Sequence, residues 1–386
     1  MFLGDLLILL VFVWLSRKLF QFLHLPALFG EVFAGVIAGP IIFGLVQETE
    51  AITVLAELGI FLLMFHSGLE ADPKDLFHSS KKALLAAFGG MALTVLGIYF
   101  VTRYFGYDIE TALFMAMTLS ITAVAISTRI FKDLKINHTK VAHTVIAAAV
   151  MIEILMLIIF SVFINLHETG AFDLKEVAIS LGKFIGYFAA VFIIGHHYFK
   201  YLYKILYKGN KGFMFSIILA LAFAVSAELI GLHFIIGAFL AGLFLHSEIF
   251  DDEVFNKIED RTFGLSYSFL APIFFATLAF HLDFTALFTM PAFIAVIIIT
   301  AILGKVLGSG LMVYWGGMSK NESIGVGLAM NSRGAVDLIV ASIGLQAGII
   351  NVEIFSVLVL ASFASTFISI VAMRPIAKKL KALQVK

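Results

Sequence analysis

The sequence predicts an all-α protein that crosses a membrane many times. Three observations carry this reading. Of 386 residues, 61% are hydrophobic and only 13% charged, where soluble domains carry roughly 45–50% apolar and about 25% charged residues. The mean hydropathy, +1.05, is too high for a chain whose surface meets water. The apolar residues gather in runs about twenty long, the length that spans a bilayer as a helix.

The same numbers exclude whole classes of function. A soluble enzyme, a nucleic-acid binder and a disordered chain do not fit this composition. Lys+Arg and Asp+Glu both number 26, so no basic excess awaits phosphates and nucleic acid is not an expected partner. The chain has no cysteine, which excludes disulfides, thiolate chemistry, iron–sulfur clusters and Cys-type zinc sites. No HExxH, Walker or GxGxxG motif is present, so neither enzyme chemistry nor a cofactor is expected.

In chain order, the apolar runs are 2–21, 27–46, 51–69, 83–104, 109–131, 140–166, 177–199, 212–230, 232–247, 264–282, 288–315, 322–345 and 351–374, about 13 transmembrane helices. The first lacks a cleavage site of small residues and reads as a retained helix. The runs on either side of position 231 have the least marked join. No soluble stretch is long enough for a second domain, so 1–386 reads as a single membrane domain.

Orientation follows from the basic residues, which concentrate in cytoplasmic loops. With the N-terminus outside, 21 of the 26 Lys and Arg fall inside. Arg103, Lys175 and Lys183 fall outside, and Lys305 and Arg333 lie within spans. The expectation is N-out, C-in, with an odd number of helices, in the inner (plasma) membrane. The segment Glu248–Arg261 spaces Ile249, Phe250, Val254, Phe255 and Ile258 at roughly helical intervals among acids. It reads as an amphipathic interfacial helix joining two halves.

A weak repeat supports two halves. Gly68–Asp72 and Ala279–Asp283 follow similar apolar runs 211 positions apart, and Ala123-Val124 matches Ala335-Val336 at 212. The repeats cover 27–166 and 232–376, with 167–231 as linking helices. Five helices in each make them inverted in the membrane, the common architecture of secondary transporters.

Charges inside spans are costly and are functional suspects. Glu153 is the sharpest, near the middle of an apolar run in which Ala147, Ala148 and Ala149 let a neighbouring helix approach. Desolvation penalises its charged form, and either a proton or a bound cation relieves that penalty. The two compete for the same oxygens. A structural pair with Lys305 or Arg333 is the plainer alternative. Thr118, Ser120, Thr122, Ser127 and Thr128 interrupt the fifth run, and their hydroxyls compete for backbone hydrogen bonds, which predicts a broken helix. Asn331, Ser332, Arg333, Gly334 and Asp337 interrupt the twelfth. On an intact helix Arg333 and Asp337 would share a face. Two interrupted helices at matching places point to a binding site at the midplane. Lys305, deep in its span, needs a carboxylate, with Glu153 and Asp337 as candidates. Glu31 lines a cytoplasmic funnel or has a local partner. Ordinary packing is the plainer reading of His66, His143 and His281.

These motifs resemble the monovalent cation:proton antiporter-2 family, of the Nap and Kef type. The resemblance rests on Gly30–Pro40, Leu55–Gly59, Gly68–Asp72, Ser120–Ile126 and Asn331–Leu338, and covers essentially the whole chain. It implies thirteen helices in the NhaA-like antiporter fold, two broken helices crossing in a six-helix core, and a homodimer in membrane lipid. It implies that Glu153 is the carboxylate that binds the ion or proton, transiently holding Na⁺ or K⁺. Thr122 would stand at the first break, and Asn331 to Asp337 at the second. Lys305 and Arg333 would be core charge partners. The sequence departs from the pattern in having Ile152 before the carboxylate, Glu153 rather than Asp, and Ser332 where a Pro is usual. One carboxylate implies exchange of one H⁺ for one Na⁺, K⁺ or Li⁺, without net charge movement. A cation channel or uniporter, or a degenerate homologue that transports nothing, would use the same residues differently.

Overall fold

The computed structural model describes residues 2–71, 80–170, 174–206, 211–248 and 252–384, and every regular element among them is helical. In order these are α1 Phe2–Phe22, α2 Ala27–Ala38, α3 Glu50–Glu70, α4 Lys81–Tyr104, α5 Ile109–Thr118, α6 Val124–Asp133, α7 Lys140–Thr169, α8 Leu174–Leu206 and α9 Lys211–Leu229. There follow α10 Phe234–Glu248, α11 Asp252–Leu265, a π turn Ser266–Leu270, α12 Ala271–Leu278, a 3₁₀ turn Ala279–His281 and α13 Ala286–Thr289. The chain closes with α14 Pro291–Trp315, α15 Lys320–Ala329, α16 Ala335–Gln346 and α17 Val352–Gln384. Seven helical segments are long and apolar enough to cross a membrane, and shorter apolar helices accompany them. The chain is a multi-pass membrane protein.

Three elements differ from expectation for local reasons. The run 27–46 is helical only to Ala38, because Gly39 turns to extended backbone (φ −77°, ψ −168°). Pro40 follows it, and a residue before proline is pushed out of the helical region. The faint join near 231 is a true break, at Gly231 with φ +81°, a conformation that glycine adopts without penalty. The segment expected as an interfacial helix has 249–251 outside the described residues. From Asp252 it runs on through the π turn and α12 as the start of one apolar path, Glu253–His281. In the π turn Ala271 N–H reaches back five residues to the Ser266 carbonyl, and the next residue, Pro272, has no N–H to donate.

The described chain forms two compact units. One comprises residues 1–73 and 157–280, the other 74–156 and 281–386, and the boundary falls inside α7, between Met156 and Leu157. In the first unit α3 lies on α10 backbone to backbone. A Cβ on Gly68 would sit 2.0 Å from the Phe239 carbonyl oxygen, and one on Gly242 would sit 2.2 Å from that of Phe65. Small residues permit such approaches, which drive helix association in lipid. In the second unit α4 lies on α14 in the same manner. A Cβ on Gly308 would meet the Gly89 carbonyl oxygen at 2.3 Å, and one on Gly89 would meet that of Gly308 at 2.5 Å. This second unit holds the interrupted helices.

Candidate functional site at two crossed breaks

Both expected interruptions are present. α5 stops at Thr118 and α6 resumes at Val124; α15 stops at Ala329 and α16 resumes at Ala335. Hydroxyls prepare the first break. Thr118 Oγ1 donates to the Phe114 carbonyl at 2.9 Å, and Ser120 Oγ to that of Met117 at 2.8 Å. At the second, Ser332 Oγ donates to the Ala329 carbonyl at 2.9 Å. Asp337 then starts α16, its Oδ1 accepting from Gly334 N–H at 2.6 Å.

The two breaks bind each other. Ala123 N–H donates to the Ser332 carbonyl at 3.0 Å. Thr122 Oγ1 donates to the Met330 carbonyl at 2.9 Å. The hydroxyls of Ser127 and Ser332 lie 2.5 Å apart. Gly334 has no room for a side chain, since a Cβ there would stand 2.8 Å from Ile126 Cδ1 and 2.9 Å from Ala123 Cβ. α17 supports the second break from behind. Asn331 Nδ2 donates to the Ser365 carbonyl at 2.9 Å, and Thr366 Oγ1 both accepts from Arg333 N–H and donates to the Arg333 carbonyl, each at 2.8 Å. Ser362 Oγ donates to Asp337 Oδ2 at 2.5 Å.

Glu153 is buried, at 3% exposure, on α7. Three residues further, Met156 offers its sulfur to Ser120 Oγ at 3.1 Å. Positions three apart share a helix face, so the Glu153 face of α7 is the one joined to the first break. Lys305 is wholly buried on α14, running along α4, where a Cβ on Gly90 would lie 3.5 Å from its Cδ.

The structure thus brings Thr122, Asn331, Arg333 and Asp337 into one crossing and turns the Glu153 face toward it. No hydrogen bond joins Lys305 or the Arg333 guanidinium to the carboxylates expected from sequence. Lys305 Nζ and all three guanidinium nitrogens of Arg333 are buried without a hydrogen-bond partner. Lys305 is therefore bonded to neither Glu153 nor Asp337, and Arg333 and Asp337 are not a hydrogen-bonded pair. The reason is the break itself: residues 330–334 leave the helix, so i, i+4 geometry does not apply, and both Asp337 oxygens are taken by Gly334 and Ser362. Glu31, outside this unit, has the local partner considered for it, with Oε1 3.3 Å from Arg17 Nε.

Sequence reasoning missed Ser362, Ser365 and Thr366, which hold the second break, and Met156, which ties α7 to the first. The signal was available for α17: a small polar cluster in an apolar run, as at the two breaks. Chemically, the site offers a buried carboxylate on the helix face that Met156 ties to a backbone that has left the helix. Unwound carbonyls and hydroxyls coordinate alkali cations in transporters, and a carboxylate can hold either a cation or a proton.

These features define a secondary transporter, not an enzyme. The comparisons agree. The family model for the transmembrane sodium/hydrogen exchanger matches residues 6–379, and the chain belongs to that family, whose activity is exchange of a monovalent cation for a proton. The antiporter-2 label that the motifs suggest is therefore slightly off, while the monovalent cation:proton antiporter reading holds. The chain is 28% identical over 384 residues to a Na⁺/H⁺ antiporter of Enterococcus hirae, covering 99% of both. It is 28% identical over 358 residues to the Na⁺/H⁺-K⁺ antiporter GerN of Bacillus cereus, covering 89% of this chain and 88% of GerN. In fold it is similar to the sodium proton antiporter MjNhaP1 of Methanocaldococcus jannaschii, with a TM-score of 0.75 at 18% identity over 98% of each chain.

Proposed function

We propose that this protein exchanges Na⁺ or K⁺ for H⁺ by alternating access, one for one, at Glu153. One observation carries the reading: the buried Glu153 carboxylate, with Ile152 beside it, on the face of α7 that Met156 ties to the first break. A cation and a proton cannot occupy the same oxygens together, so each must leave before the other binds. Replacing +1 by +1 moves no net charge, and the membrane potential, about 2.3 kcal/mol per charge per 100 mV, then exerts no drive. Thr122 and the carbonyls freed at the breaks complete the cation's oxygen shell. Asn331 holds the second break, Lys305 and Arg333 balance the buried charge, and Asp337 is assigned to starting α16 rather than to the ion. Relatives named for both Na⁺ and K⁺ leave the ion to experiment.

The architecture we infer has thirteen spans, counting α5 with α6, α11 with α12 and α15 with α16 as one each, and leaving out the single-turn α13. The breaks begin at Leu119 and Met330, 211 positions apart, which supports inverted repeats over 27–166 and 232–376 joined by 167–231. We further infer an N-out, C-in homodimer in the lipid of the inner membrane.

The test is a pH-sensitive dye in proteoliposomes. Under an imposed pH gradient, Na⁺, K⁺ or Li⁺ should relieve quenching in the wild type and not in Glu153→Gln. Cation flux without any pH change would instead establish a channel or uniporter.

A further inference from the structure

A pocket of about 440 Å³ opens between α1 and the π turn, within the first unit. Its α1 wall changes character along its length. Leu10, Val13 and Trp14 line one end, and Arg17, Lys18 and Gln21 the other. Ser268 and Phe269 of the π turn form the opposite wall. At 1.5 Å per residue, the wall from Leu10 to Gln21 is about 16 Å long. That is an amphiphile's shape, with a polar head at one end and an apolar tail at the other.

The charges at the polar end differ in status. Arg17 is occupied: its Nε faces Glu31 at 3.3 Å, and its Nη1 donates to the Tyr267 carbonyl at 3.1 Å. Lys18 has no carboxylate partner among the described residues, and its ammonium rests 3.7 Å above the Trp14 ring. The wall thus presents one uncompensated positive charge, steadied by cation–π attraction. The wall opposite α1 is itself a backbone irregularity, the π turn that carries Ser268 and Phe269. Such turns recur at functional sites.

We propose that this pocket binds one anionic phospholipid. Its phosphate lies at Lys18 and Gln21, and one acyl chain lies along Leu10, Val13 and Phe269. The charge selects an anionic lipid over a zwitterionic one, and the apolar length selects a lipid over a free phosphate. A basic residue near the membrane surface contributes about 1 kcal/mol toward anionic lipid, or roughly fivefold in affinity.

The chain carries two tryptophans, and one of them, Trp14, lines the pocket. In a Trp315→Phe protein in detergent, Trp14 is then the one tryptophan left, at the mouth of this pocket. It is titrated with phosphatidylglycerol or phosphatidylcholine whose chains are brominated to quench tryptophan. Saturable quenching is expected, at about fivefold lower concentration for phosphatidylglycerol. Lys18→Gln should abolish that preference, whereas Lys18→Arg should keep it, which also controls for folding. Glycerol phosphate should not relieve the quenching. Equal quenching by both lipids, a preference that survives Lys18→Gln, or displacement by glycerol phosphate would each overturn the proposal.

Discussion

The Thr122 hydroxyl donates to the Met330 carbonyl at 2.9 Å, both groups buried and 208 positions apart in sequence. One side chain of the first break thereby satisfies a backbone group of the second. Thr122→Val keeps the shape and removes the donor, leaving a buried carbonyl unpaired. The expected cost is about 1–3 kcal/mol, read as a lowered Tm in detergent, together with a raised half-saturation for the cation. Thr122→Ser should restore both.

Glu153→Gln should abolish exchange without unfolding, because an amide of the same size neither ionises nor carries the proton. Glu153→Asp should retain exchange with a shifted half-saturation for the cation. Current recorded from wild-type liposomes under opposed ion gradients would contradict one-for-one exchange.

Gly334→Ala should be disabling. The added methyl would stand 2.8 Å from Ile126 Cδ1 and 2.9 Å from Ala123 Cβ. Overpacking typically costs about 1–3 kcal/mol, and here it would push the two breaks apart. Loss of transport with the fold retained by circular dichroism is the expected result.

Asp337→Asn should separate its two assignments. The amide oxygen can still accept from Gly334 N–H, and the amide N–H can donate to Ser362 Oγ once that hydroxyl turns to accept, so a residue that only starts α16 should tolerate the change with most activity intact. Loss of cation binding in a folded Asp337→Asn protein would return Asp337 to the ion site. Asp337→Ala should lower stability by roughly 1 kcal/mol or more, as for a lost helix cap.

Asp108, exposed at the start of α5, gives a pH dependence. Partial burial alone would push its carboxyl up, but the hydrogen bonds from Thr111 N–H and Oγ1, each 2.8 Å, outweigh it and hold it below the usual carboxylate value. A group depressed on folding adds stability above its unfolded value of about 3.9, and that stability is lost as pH falls through the folded value. Asp108→Ala should therefore cost about 1 kcal/mol at neutral pH, and the Tm gap from wild type should close as pH drops below about 4.

The apolar runs and both breaks were legible in the sequence because their signals are local. Hydroxyls at Thr118, Ser120 and Thr122, and Asn331 to Gly334, stand out in apolar surroundings, and the chain leaves the helix where they cluster. The end of α2 was missed although its cause, Gly39 before Pro40, was equally local; the apolar run simply continued past it. Side-chain pairing was the least legible. Sequence spacing placed Arg333 and Asp337 on one helix face, yet the predicted break destroys the geometry on which that spacing depends. The supports from Ser362, Ser365 and Thr366 join helices distant in sequence, and only packing shows which face of α17 meets the break.

The paired glycines at 89 and 308 have a mechanical meaning. Each backbone occupies the place where the other would carry a side chain, so neither position accepts even a methyl group unless the two helices move apart. α4 and α14 meet there like a joint cut without clearance. Lys305 lies one turn from Gly308 on the same rod, so it cannot travel along the membrane normal by itself. Any stroke that carries its charge carries this joint with it or breaks it.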